Sequence, residues 1–113
     1  MPQTNEATQR VLKFLGLAAK AGRTVAGVSL ICTALARGAR DKTPLLVIQA
    51  CDASENSRKR ITDRTAFYGV PTCCPDIDCA TLALAVGKRE ALIAAVGVTE
   101  QHLAADILEA LQN

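Results

Sequence analysis

The run LLVIQA at positions 45–50, introduced by Pro44, is the feature that most limits what this chain can fold into. Apolar side chains at nearly every position of so short a segment leave no face for water, which predicts a strand buried on both sides. ALIAAVGV at 91–98 has the same character. Strands of this kind alternating with helical segments indicate an α/β domain, with helices covering both faces of one central sheet. A length of 113 residues allows a single core and predicts one domain over 1–113. Only 3% of residues are aromatic, so Leu, Val, Ile and Ala must fill that core.

The remaining segments follow from spacing and punctuation. Thr4 or Asn5 is expected to cap a first helix carrying Val11, Leu12, Phe14, Leu15, Ala18 and Ala19, ended by Gly22. Arg23 to Ala26 is β-compatible, and Gly27 opens a helix with Leu30, Ile31, Ala34 and Leu35 that Gly38 closes. After LLVIQA, Asp52 or Ser54 is expected to cap ENSRKRITDRTAFY, with Ile61, Thr65 and Tyr68 inward and Gly69-Val70-Pro71 as the stop. A short strand at 72–74 precedes a helix capped by Asp76 or Asp78, with Leu82, Leu84 and Val86 inward and a stop at Gly87. Thr99 is expected to cap a final helix with Leu103, Ile107, Leu108 and Leu111 facing the core.

Several functional classes find no support. No apolar run approaches the roughly 20 residues a membrane-spanning helix requires, and the polar start MPQTNEATQR has no secretory core, which predicts a cytoplasmic protein without membrane contact. The odd set of five cysteines, without repeated paired spacing, fits reduced thiols. Cys73, Cys74 and Cys79 form a cluster with redox or metal potential, but it lacks the four paired ligands of a structural zinc site. His102 is the only histidine and falls in the first turn of the last helix. Asp52, Glu55 and Asp63 lie among Arg58, Lys59, Arg60 and Arg64, where capping and surface ion pairing explain them. No Gly-rich nucleotide signature occurs, so no catalytic residue, metal or cofactor is expected.

The net charge of +2 hides an uneven distribution. Between Ala7 and Arg40 lie six cations, Arg10, Lys13, Lys20, Arg23, Arg37 and Arg40, with no carboxylate. From Asp76 onward there are six acids and only Lys88 and Arg89 as cations. Helix starts favour negative charge because of their unpaired amides and the helix dipole, yet the helix beginning at Gly27 has no acid in its first turn. An external anion is the complement such a start calls for, and a basic region suits a phosphate backbone.

KFLGLAAKAGRTVAG, ALARGAR, DASENSRKRITDRTAFYGVP, TLALAVGK and AAVGVTEQ, in this order and spacing, resemble the bacterial YlxQ-like branch of the ribosomal protein L-seven-Ae family from Lys13 onward. The most specific part is DASENSRKRITDRTAFYGVP, with its Asp-Ala-Ser cap, Thr-Asp pair and Tyr-Gly-Val-Pro stop. The resemblance implies a three-layer α-β-α sandwich with a four-stranded mixed sheet. It also implies binding to RNA kink-turns, sharp bends flanked by sheared G·A pairs.

The family's RNA-reading signature runs Gly-x-Asn-Glu-x-x-Lys and closes its helix with Arg-Gly. Gly27, Arg37 and Gly38 match; Val28 occupies the variable position, while Ser29 replaces Asn, Leu30 replaces Glu and Thr33 replaces Lys. A bidentate hydrogen-bonded pair with a base supplies ~1–3 kcal/mol of discrimination, and Leu30 in place of Glu supplies none of it. The second RNA-facing element of the family corresponds to Gly87, Lys88 and Arg89. With Lys20 and Arg23, these residues make the expected RNA site, one that keeps phosphate positioning and is depleted in base reading.

The expected function is therefore a non-enzymatic, monomeric RNA-binding protein of ribosomal type, with structured, kink-turn-like RNA as its partner and the ribosome or translation proteins as further candidates. The alternative is a protein-interaction module on the same fold, motivated by Leu30 at a former RNA-facing position.

Overall fold

A computed structural model describes residues 6–88 and 92–112. The elements are α1 (Glu6–Lys20), β1 (Thr24–Ala26), α2 (Val28–Arg37), β2 (Leu46–Gln49), α3 (Glu55–Tyr68), β3 (Thr72–Cys73), α4 (Cys79–Ala85), β4 (Ala95–Val98) and α5 (Gln101–Gln112). The two apolar runs become the central strands, for the sheet order is β1-β4-β2-β3 and every residue of β2 and β4 is buried. β4 is antiparallel to both β1 and β2, whereas β2 and β3 are parallel, so the sheet is mixed.

Alternation along the central strands divides the core between two layers. Leu46, Ile48, Val96 and Val98 pack with Val11, Leu15 and Ala18 of α1, Leu82 of α4 and Ile107 of α5. Val47 and Ala95 face the other way, against Ile31 and Leu35 of α2 and Ile61 of α3. The result is the three-layer α-β-α sandwich with a four-stranded mixed sheet.

Close approach shapes the second layer at one point. A Cβ on Gly97 of β4 would lie 2.9 Å from both Cβ and Cγ of Pro44. The same proline that introduces β2 therefore requires a residue without a side chain on the neighbouring strand.

Several boundaries and orientations differ from expectation. Thr4 and Asn5 lie outside the described residues. The 91–98 run is strand only from Ala95; Leu92 stands exposed before it, and Leu45 likewise precedes β2. Leu84 and Tyr68 are exposed, the inward positions being taken by Leu82, Ala83 and Val86 around α4 and by Ile61 and Thr65 on α3. Thr99 extends the sheet by donating its amide to Arg23 O at 2.9 Å, so Glu100 caps α5 instead, accepting the Leu103 amide at 2.7 Å.

Capping is redistributed around α3 and α4. Ser54 caps α3 through the Ser57 amide at 3.2 Å. Asp52 reaches across to accept the Cys79 amide at 2.8 Å, while Asp78 accepts that of Thr81 at 2.7 Å. The short α4 thus starts under two carboxylates, and Asp76 caps nothing there.

Candidate nucleic-acid interface

The start of α2 is open. Gly27 has φ 103° and ψ 145° and provides no side-chain cap, and a Cβ built on it would meet nothing within 4 Å. Its N–H is tied to Ala95 O at 2.9 Å, which fixes the turn from β1 into α2 on the end of β4. Ile31 is the first residue to donate into the helix, to Gly27 O at 3.0 Å. The amides of Val28, Ser29 and Leu30 belong to the turn that has no intrahelical acceptor.

From this start a groove of about 480 Å³ runs between α2 and the ends of α1 and α4. Leu30, Thr33, Ala34 and Arg37 of α2 form one wall; Lys42 and Lys88 supply further charge, and among the described residues no carboxylate lines it. Along it runs the free edge of β1. Arg23 O and Gly27 N both bond to the β4 side, at 2.9 Å each. By the alternation of an antiparallel ladder, Val25 also bonds inward, and Thr24 and Ala26 turn their backbone groups toward the groove. The groove therefore offers backbone donors and acceptors, three cationic side chains and an apolar patch around Leu30, which is 62% exposed.

The structure brings together four of the residues anticipated from sequence, Leu30, Thr33, Arg37 and Lys88, in one groove. Gly27, Val28 and Ser29 are not part of the lining, although their chain neighbours Ala26 and Leu30 are. Gly87 holds Lys88 in place, the two donating to Leu84 O and Ala83 O at 3.1 and 2.8 Å. Lys20 and Arg23 are not part of the lining, and Arg23 is half-buried with its Nε lacking a partner. Arg89 lies outside the described residues.

Two contributors escape sequence reasoning. Lys42 comes from the loop after α2, and its position beyond the Gly38 stop gave no reason to group it with Arg37. Arg60 of α3 brings Nη1 to within 3.5 Å of Ser29 Oγ, placing a guanidinium beside the open helix start. Of the ion pairs expected on α3, only Lys59–Asp63, at 3.2 Å, is present among the described residues; Arg58 turns to Cys74 Sγ at 3.4 Å.

The cysteines lie away from this groove. Burial, with Cys74 nearby, pushes the Cys73 thiol up to about 12. Burial and the Asp52 carboxylate push Cys79 up to about 11. Both thiols are therefore held in the protonated, less nucleophilic form at neutral pH. Among the described residues, no three His, Cys, Asp or Glu side chains converge as a metal site. Likewise no described helix is long and apolar enough to cross a membrane. His102 is exposed and pairs with Glu100 at 3.1 Å, a contact at the start of α5.

No family model matches the chain. Among curated proteins it is similar to RNA-binding protein YlxQ of Bacillus subtilis (strain 168), 35% identical over 98 residues, covering 87% of this chain and 91% of that protein. RNA-binding protein YlxQ of Enterococcus faecium is 33% identical over 63 residues, so that 56% of this chain spans only 57% of that relative. Among solved structures, a protein of unknown function from Bacillus halodurans superposes with a TM-score of 0.80 at 24% identity, over 92% of this chain and 98% of the other. A 15.5kD RNA binding protein of Giardia lamblia gives a TM-score of 0.76 at 17% identity, over 97% and 88%. At these identities the two structures support the fold alone.

Proposed function

The chain belongs to the family of the bacterial proteins named RNA-binding protein YlxQ, and we propose that it acts as a single, non-enzymatic RNA-binding domain whose site is the α2 start at Gly27 and the groove beside it. The observation that carries this reading is an uncapped helix start beside a groove lined by Arg37, Lys42 and Lys88, with no acid among the described lining residues. Free amides and cations complement phosphate, and the glycine leaves the backbone accessible to it.

The partner in this reading is structured RNA of kink-turn type, bound in the cytoplasm by a monomer, with ribosomal RNA a candidate. Ser29, Leu30 and Thr33 replace the side chains that would read base edges, so affinity comes mainly from phosphates and shape. Arg60 restores one hydrogen-bonding cation beside Ser29.

The test is a titration of the protein against a kink-turn RNA and a straight duplex of equal length, at low and high salt. Preference for the kink-turn supports the reading in full. Equal, salt-sensitive binding reduces it to phosphate recognition without shape. No binding to either RNA refutes it and favours the alternative, a protein-interaction module of the translation machinery docking on the exposed Leu30.

A further inference from the structure

The outer side of α3 carries charge and aromatic surface that neither the core nor the α2 groove uses. Ile61 and Thr65 turn inward and are buried, which sends Arg60, Arg64 and Phe67 outward. Their spacing of four and then three residues places them in one stripe, spanning about 10 Å at 1.5 Å per residue. Asp63 lies in the same shallow depression as Lys59, Arg60 and Arg64, and its carboxylate is engaged by Lys59 at 3.2 Å. Among the described residues no carboxylate lies within ion-pair distance of Arg60 or Arg64.

Phe67 is 79% exposed and is the most exposed large apolar side chain described. The chain has only three aromatic residues, and two of them stand here, Phe67 meeting Tyr68 edge to face at 4.9 Å between ring centres. That contact holds the Phe67 ring beside its neighbour and leaves its surface to solvent. Its neighbours along the stripe are two arginines and an aspartate, so with Tyr68 it forms a small aromatic platform beside charged residues rather than part of an extended apolar patch. Such a combination fits an unpaired nucleic-acid strand, whose bases stack on aromatic rings while its phosphates meet arginines. The stripe also continues from the α2 start, because Arg60 touches Ser29.

Resting on the RNA-binding reading above, we propose that the outer face of α3 is a second RNA-contact surface, where Arg60 and Arg64 hold the phosphates of a single strand leaving the α2 site and Phe67 stacks on one of its bases.

The test compares a blunt kink-turn RNA with the same RNA extended at either end by an oligouridine tail of about six nucleotides carrying one 2-aminopurine. The expected result is at least about fivefold tighter binding of one tailed RNA, the lower range of a single base–aromatic stack, with quenching of the 2-aminopurine. Phe67→Ala should abolish the tail's gain and the quenching, Phe67→Leu should abolish the quenching, and Arg64→Gln should reduce the gain. A blunt RNA that binds while neither tail adds affinity overturns the α3 surface and leaves the α2 site standing. A tail gain that survives Phe67→Ala and Arg64→Gln overturns it too. If neither blunt nor tailed RNA binds the wild-type protein, the RNA-binding reading itself fails, and Phe67 is left to a protein partner.

Discussion

Gly27 and Gly97 are both required, for different physical reasons. At φ 103° Gly27 occupies a backbone region that side-chain-bearing residues rarely adopt, although a Cβ there has open space. Gly27→Ala should therefore cost ~1–3 kcal/mol of stability through backbone strain alone, read as a lower urea midpoint with an unchanged slope. Gly97 has ordinary geometry, but its substitution meets the rigid Pro44 ring at 2.9 Å. Gly97→Ala should cost ~1–3 kcal/mol as overpacking, and Gly97→Ala with Pro44→Ala should recover part of it in a double-mutant cycle. Independent effects in that cycle would show that Pro44 is not the obstacle. Leu30 offers the opposite case. Being 62% exposed, Leu30→Glu should change stability by no more than ~0.5 kcal/mol, yet tighten kink-turn binding by restoring a base-reading carboxylate. Weaker binding after this change would relocate the RNA.

Three carboxylates, Asp52, Asp78 and Glu100, accept amides at helix starts. Asp52 or Ser54 is spaced to cap α3, but Asp52 accepts an amide at the start of α4, 27 residues away, and Glu100 takes over from Thr99. Hydrogen bonds from the Cys79 thiol and then its amide hold the Asp52 carboxyl below its ordinary 3.8. The Leu103 and His102 amides do the same for Glu100, below 4.5. A carboxyl lowered in the folded state contributes stability that is complete above its unfolded value and lost as pH falls through the folded one. Thermal stability should accordingly drop as pH falls below 4.5 and then 3.8, and Asp52→Asn with Glu100→Gln should flatten that profile. An unchanged acid limb would mean that these caps do not couple to folding.

For the whole molecule, the electrostatic claim concerns convergence. Arg37 and Lys42, five residues apart, meet the distant Lys88 across one groove. Each phosphate contact should contribute about −0.9 for duplex, or −0.7 for single-stranded RNA, to the slope of log affinity against log salt. Arg37→Ala should lower that slope by about one and weaken kink-turn and straight duplex alike, whereas loss of kink-turn affinity alone would assign Arg37 to shape recognition.

The sequence by itself determined whatever depends on a few neighbouring residues. The runs at 45–50 and 91–98 pointed to the two central strands because unbroken apolar runs of strand length suit a strand buried on both faces. Gly38 and Gly69 marked two helix ends, Gly27 one helix start, and Ser54 and Asp78 were each one of two neighbouring candidates for another. Tertiary structure alone decided the order β1-β4-β2-β3, the outward edge of β1, and the meeting of Lys42 and Lys88 with α2. It also placed Arg60 beside Ser29, 31 residues away, and Pro44 against Gly97. Periodicity and capping are written within one turn of helix or one strand. Which distant side chains share a surface is set instead by strand pairing and layer packing, which join segments with no local signal in common.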